Sequence, residues 1–70
     1  MLTRKEFEEL TAREDLVFVT NSLCSSNDFT NRKNVLEKDG YQSYGRFVNG
    51  VMTVDFIKGR LDYQLVYTGI

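Results

Sequence analysis

Two aspartates are the residues best placed for chemistry in this chain of 70 residues. Asp55 and Asp62 fall on consecutive predicted strands, on one face of the sheet and as diagonal neighbours. Two carboxylates at that spacing can raise each other's pKa or bind a divalent cation. Beside Arg46 they could equally be screened surface charges, and the chain has no His. A divalent-metal-dependent enzyme using Asp55 and Asp62 is therefore our third hypothesis, and the sequence assigns no catalytic residue, metal ligand or cofactor.

Cys24 is the single cysteine of the chain. It follows Leu23 in a Ser- and Asn-rich segment, and a nucleophilic thiol there would need an activating base that a chain without His does not supply. A half-buried structural thiol is the favoured interpretation. One cysteine also excludes an internal disulfide and a zinc site of the usual Cys and His ligands.

The second hypothesis is single-stranded nucleic-acid binding by a local basic and aromatic cluster. Nine basic side chains against ten acidic ones leave a net charge of −1, whereas phosphate contacts dominate the affinity of such binding. We therefore rank nucleic acid below protein as a partner, and we expect no membrane binding. The residues of the cluster are Arg32, Lys33, Lys38 and Tyr41, with Tyr44 nearby for stacking on bases.

The elements that position these residues are clearest from Gly45 to Thr68, which predicts a three-stranded antiparallel meander. Asn49-Gly50 tolerates the two positive φ angles of a type I′ turn, and Gly59-Arg60 suits a type II′ turn. These turns set the predicted register, in which Val48 faces Val51 and Lys58 faces Leu61.

The register divides the meander into a core face and an opposite face. We expect the N-terminal helix to pack on the core face through Phe7 and Leu10. The core face collects nearly every large apolar side chain of the meander, with Gly45 leaving room between them: Phe47, Met52, Val54, Phe56, Tyr63, Leu65 and Tyr67.

The opposite face mixes valines near the Asn49-Gly50 turn with polar and charged residues in mid-strand. It could be an ordinary solvated face, a surface covered by the middle of the chain, or a contact surface, since such mixtures resemble protein interfaces. The residues predicted to bind a partner protein are Tyr44, Arg46, Val48, Val51, Thr53, Asp55, Gln64 and Val66.

The N-terminal residues predict a helix from Arg4 to Arg13. Thr3 and Glu6 stand at the spacing of a capping box, and Leu2 and Phe7 stand at the positions of a hydrophobic staple. The run from Leu16 to Val19 that follows is apolar at both odd and even positions, which predicts a buried, central strand over Leu16–Thr20.

The middle of the chain, residues 20–40, has two interpretations. In the favoured one, Asn27 or Asp28 caps a helix that presents Phe29, Lys33 and Leu36 on one side and ends at Gly40. In the other, Arg32 to Lys38 is a strand that turns at Asp39-Gly40.

Together these patterns predict a single α+β domain over residues 1–70. An N-terminal helix packs on a mostly antiparallel four-stranded sheet, and a second short helix is one interpretation of the middle segment. So short a chain buries a small core, so we expect a larger partner or a second copy to add burial. The predicted strands are Leu16–Thr20, Tyr41–Val48, Val51–Ile57 and Leu61–Thr68.

The favoured function is a non-enzymatic protein-binding module, an inhibitor or regulator that acts on a larger protein by surface complementarity. Small accessory proteins of phages and mobile elements are often of this kind. A homodimer through an uncovered sheet edge or the valines of the opposite face is a further expectation. One unpaired cysteine, an N-terminus without a hydrophobic signal core and a longest apolar run of Leu16 to Val19 predict a cytoplasmic protein.

Overall fold

The computed structural model describes residues 1–68, which form two helices and one four-stranded sheet. The strand order is β1-β4-β3-β2; β1 runs parallel to β4, and the other pairs are antiparallel. The predicted α+β class and C-terminal meander are confirmed. The elements are α1 Arg4–Thr11, β1 Val17–Cys24, α2 Ser26–Lys38, β2 Gln42–Val48, β3 Val51–Lys58 and β4 Leu61–Tyr67.

The two predicted turns fix the register of the meander. Asn49 and Gly50 have φ angles of 53° and 79°, as both central residues of a type I′ turn require. Gly59, at φ 61°, takes the first central position of the second turn, where type II′ needs a positive φ. The predicted pairings of Val48 with Val51 and of Lys58 with Leu61 are both present.

Local side-chain chemistry starts α1 at the predicted residue. The Thr3 hydroxyl accepts from the Glu6 N–H at 3.2 Å, and the Glu6 carboxylate accepts from the Thr3 N–H at 2.9 Å, which completes the capping box. Leu2 and Phe7, the predicted staple, share one buried cluster. The helix ends at Thr11, two residues before the predicted Arg13.

The middle segment is the helix α2, so the alternative strand over 32–38 is wrong. Ser25 is its N-cap rather than Asn27 or Asp28. Gly40, at φ 92°, ends the helix in a Schellman arrangement: its N–H donates to the Glu37 carbonyl, and the Tyr41 N–H donates to the Leu36 carbonyl.

The two helices lie on opposite faces of the sheet, and this corrects the predicted position of α1. We call the two sides the α2 face and the α1 face. On the α2 face, Phe29 and Leu36 of α2 pack against Val54, Phe56 and Leu65. On the α1 face, Phe7 and Leu10 pack with Ile57 and Tyr44 instead. The large apolar face is thus covered by the second helix, and α1 takes the mixed face.

β1 is an edge strand and is longer than predicted, so the expectation of a buried, central strand is wrong. Val17, Phe18 and Val19 are all exposed. The most buried strand is β3, although it contains Thr53 and Asp55. A run that is apolar on both parities fits a buried strand but does not require one, because neighbours and not the run itself decide the burial.

Candidate functional site

The α1 face carries all eight residues that were predicted to bind a partner, but the structure divides them into three groups. Tyr44 lies under α1, and Asp55 and Thr53 are buried at the middle of the sheet. The other five line, together with Thr53, a shallow depression of about 450 Å³ toward the Asn49-Gly50 turn: Arg46, Val48, Val51, Gln64 and Val66.

A polar network crosses the middle of the α1 face. The Gln64 side-chain amide donates to Asp55 Oδ1 at 3.1 Å, and the Asn21 amide donates to Gln64 Oε1. Arg46 Nη2 lies 3.7 Å from the same Asp55 oxygen. One residue from each of the four strands takes part, so the buried Asp55 carboxylate has both a donor and a countercharge.

Asp62 lies beside this network and has no such support. Its side chain is fully buried, and no donor group within residues 1–68 reaches either of its carboxylate oxygens. Burial raises the pKa of Asp62 to about 7; the nearby Asp55 charge and a hydrogen bond to Asp55 add to the rise, and Arg46 opposes it. The two aspartates are diagonal neighbours as predicted, because Asp55 pairs with Gln64 and Asp62 with Ile57.

Both carboxylates are buried, so the interpretation of this pair as screened surface charges is wrong. Asp55 is 1% exposed and Asp62 0%, so solvent and a substrate are kept from both carboxylates. Within the described part of the chain, no group of three acidic, His or Cys side chains could hold a metal ion. The arrangement favours a proton held between two carboxyl groups over cation binding or acid–base chemistry on a ligand.

Arg46 links the polar network to α1. Its guanidinium carbon lies 5.1 Å from the centroid of the Phe7 ring, within cation–π range. The Phe7 ring in turn stacks on Tyr44 with centroids 4.3 Å apart. Residues 4–8 of α1 therefore cover Tyr44, and the other end of the α1 face stays open.

We call this uncovered part, around the depression, the open end. Leu23 is 76% exposed, and Val48 and Val51 are 43% and 40% exposed. Phe47, on the α2 face next to the same turn, is 72% exposed because α2 does not extend over it. Apolar side chains thus surround the Asn49-Gly50 turn on both sides of the sheet.

Sequence reasoning missed Leu23 and Asn21 as members of this surface. Both lie on β1 beyond Thr20, where the predicted strand stopped because Asn and Ser favour loops. The parity of Asn21 and Leu23, set against Gln64 and Val66 of β4, was the available signal.

The predicted basic and aromatic cluster is not assembled for stacking on bases. Tyr41 is buried against Tyr63, with its ring 5.4 Å away and edge-on, and burial raises the pKa of Tyr41. Lys33 pairs with Glu37 at 3.0 Å on α2. Arg32 and Lys38 are exposed on the same helix. The Tyr41 ring that was expected to stack on bases beside them is buried.

Cys24 is 1% exposed and packs in the α2-face core. Neither helix of residues 1–68 has the length and apolar character that crossing a membrane requires.

Comparison with protein-family models, with curated proteins and with solved structures found no significant match.

Proposed function

We propose that the protein is a non-enzymatic protein-binding module, an inhibitor or regulator that acts in the cytoplasm on a larger protein. The observation that carries this proposal is the concentration of exposed apolar side chains at one end of the sheet. Leu23, Val48 and Val51 lie around the depression there, with Phe47 just across the turn. Contiguous apolar surface of this kind marks interaction sites more often than single exposed residues do.

The polar residues around the open end fit the rim of such an interface. Asn21, Gln64 and the half-exposed Arg46 line the depression together with Asn49. Protein interfaces combine an apolar centre with a polar rim, and Arg is enriched in them. The acidic pair at the middle of the face is buried, so among residues 1–68 the ionisable side chain that lines this depression is that of Arg46. The partner we expect presents an apolar surface with a hydrogen-bonding periphery.

A capture experiment with matched variants tests this surface. The tagged chain is incubated with lysate of the organism that encodes it, with and without nuclease, and bound proteins are identified by mass spectrometry. We expect one stoichiometric protein from wild type, retained after nuclease and lost from Val51→Asp/Val66→Asp. Val35→Asp is the control, because Val35 is 67% exposed on α2, away from the open end. Circular dichroism verifies that all three chains are folded.

Other results would contradict the proposal. Equal capture by wild type and Val51→Asp/Val66→Asp would exclude the open end as the contact surface. Capture that disappears with nuclease would favour the nucleic-acid hypothesis and direct attention to Arg32 and Lys33. Recovery of the same chain alone would make a homodimer the function of this surface.

A further inference from the structure

We propose that α1 is a proton-controlled cover of the sheet, and that loss of the single proton held by the buried Asp62–Asp55 pair releases the helix from the α1 face. The proposal stands independently of which partner the open end binds. It rests on three features of the fold: the buried acidic pair, the small set of contacts that hold α1, and Arg46, which contacts both Asp55 and the Phe7 ring of α1.

The acidic pair is arranged for one proton. Asp62 has no donor for either oxygen within residues 1–68, whereas Asp55 accepts from Gln64 and faces Arg46. As a neutral acid, Asp62 donates a hydrogen bond to Asp55. As a second carboxylate, it would be an unsupported buried charge beside a like charge, which is among the costliest arrangements in a protein interior.

The charged groups that face this pair are few. β3 contributes Asp55, β2 contributes Arg46, and the nearest β1 and β4 side chains, Asn21 and Gln64, are neutral amides. From α1, Arg4 and Glu8 line the neighbouring surface beside Arg46, but they pair with each other at 3.1 Å and are exposed. The α1–β1 connection carries the Arg13–Asp15 ion pair, which lies at the Gly59 turn. Within residues 1–68, Arg46 is the cation whose charge lowers the pKa of Asp62, and it already faces Asp55.

The contacts that hold α1 are local and small. The Leu2 N–H donates to the Ser43 carbonyl at 2.8 Å, and Phe7 stacks on Tyr44. The buried part of this contact is the cluster of Leu2, Phe7 and Ile57. A helix of eight residues has little stability of its own, so it stays folded only while this face holds it.

Asp62 lies on the α1 face next to these contacts. Asp62 pairs in register with Ile57, the sheet residue at the centre of the α1 cluster. Arg46, which faces Asp55, also lies over the Phe7 ring. Lifting α1 would admit water to Asp62 and free Arg46 from Phe7, so hydration of the second carboxylate and undocking of the helix occur together.

Proton linkage fixes the direction of the effect. With α1 docked, burial holds the pKa of Asp62 at about 7, and with α1 lifted the hydrated carboxyl returns toward 3.8. Between pH 3.8 and about pH 7, opening of α1 therefore releases a proton from Asp62. The fraction of molecules with α1 open then rises about tenfold per pH unit in this range and becomes constant above about pH 7. From pH 5 to pH 7 the opening equilibrium of α1 should increase roughly 50-fold, because the docked state is itself half ionised at the upper pH.

Native-state hydrogen exchange measures this opening directly. Protection factors are determined at pH 5, 6, 7 and 8 for amides of α1 and for amides of β3 and β4, which report global unfolding. We expect α1 amides to be less protected than the β3 and β4 amides at each pH, and to lose roughly 50-fold protection from pH 5 to pH 7. In Asp62→Asn the pH dependence of α1 should vanish. Asp28→Asn, an exposed acid on α2, should keep it.

Two results would overturn the proposal. Protection of α1 that is independent of pH would show that Asp62 keeps its environment when the helix opens. Protection of α1 equal to that of β3 and β4 at every pH would show that the helix opens only when the whole sheet unfolds.

A titration of the wild-type chain keeps the test decisive if Asp62→Asn does not fold. Carboxyl ¹³C signals of Asp62 and amide signals of α1 are followed by NMR from pH 4 to pH 8.5. The coupling of Asp62 ionisation to release of α1 is supported if the Asp62 carboxyl and the α1 amides change with the same midpoint pH, and if that midpoint lies well above the ordinary pKa range of aspartate. Titration of Asp62 in the ordinary range, or α1 signals that do not follow it, contradicts it.

Discussion

Replacing Asp62 with Asn should make the protein more stable at neutral pH, although the change removes a fully buried native side chain. Folding raises the pKa of Asp62 from 3.8 to about 7. Between these values the folded chain keeps a proton that the unfolded chain has released, so wild-type stability falls as pH rises. Below pH 4 both states are protonated, and above pH 7 both are ionised, so the slope is confined to that window.

The size of the effect follows from the separation of the two pKa values. A difference of about 3 units at about 1.4 kcal/mol per unit gives a fall of about 4 kcal/mol in the unfolding free energy of wild type across the window. Asn has nearly the same shape as a protonated Asp, and its amide can still donate to Asp55. Asp62→Asn should therefore match wild type near pH 4 and exceed it by about 4 kcal/mol at pH 7.5.

Urea denaturation followed by circular dichroism at half-unit steps from pH 4 to pH 8 measures both curves. Glu9→Gln is the matched control, since Glu9 is an exposed acid on α1 and its removal should leave the slope of wild type intact. A wild-type curve that is flat from pH 4 to pH 7, or an Asp62→Asn chain that is less stable than wild type at pH 7.5, would refute the buried-acid reasoning.

Three further predictions concern the fold, each measured as an unfolding free energy in urea. Thr3→Ala removes the hydroxyl half of the capping box and should cost about 1 kcal/mol, seen first as loss of helical signal; an unchanged signal would mean that the cap contributes nothing. Phe56→Ala, at a fully buried site, should cost about 3–5 kcal/mol, whereas Phe47→Ala, on the same face but 72% exposed, should cost under about 1 kcal/mol; equal costs would contradict the placement of α2. Gly59→Ala should destabilise by about 1 kcal/mol because of its φ of 61°, while Gly45→Ala should be tolerated, because an added Cβ there meets Met52 and Val54 at 3.7 Å, ordinary contact distance; the reverse order would contradict the turn assignment.

Local rules were sufficient for the elements whose signals are contained in a few residues. Asn49-Gly50 and Gly59 need positive φ angles, so the turns and the meander register could be read from the sequence. The Thr3–Glu6 capping box likewise set the start of α1.

The assignment of helices to faces was beyond such rules. Phe7 and Leu10 suit either side of the sheet, and the choice depended on Phe29 and Leu36 of α2, which take the larger apolar face. The edge position of β1 has a similar cause: nothing in the sequence of Val17 to Val19 indicates that β1 pairs with β4 on one side and with no strand of residues 1–68 on the other.

The candidate surface was identified in part. Strand parity correctly placed the valines and Arg46 on one face, but charge led to the wrong burial for Asp55. A carboxylate in a central strand is expected at the surface unless it is paired, and its partners Gln64 and Arg46 come from two different strands. Only the assembled sheet brings them together.

The parallel pairing of β1 with β4 also bears on the order in which the chain folds. β2, β3 and β4 are joined by two-residue turns, so their pairing closes short loops at little entropic cost. β1 must find β4 across α2 and the whole meander, with Val17 opposite Leu61. The meander therefore forms first, and β1 docks late on an edge that is already built. Until then the backbone groups of β4 on that side are unpaired, so a strand that is internal in the final sheet is for a time an exposed edge, open to pairing with another chain.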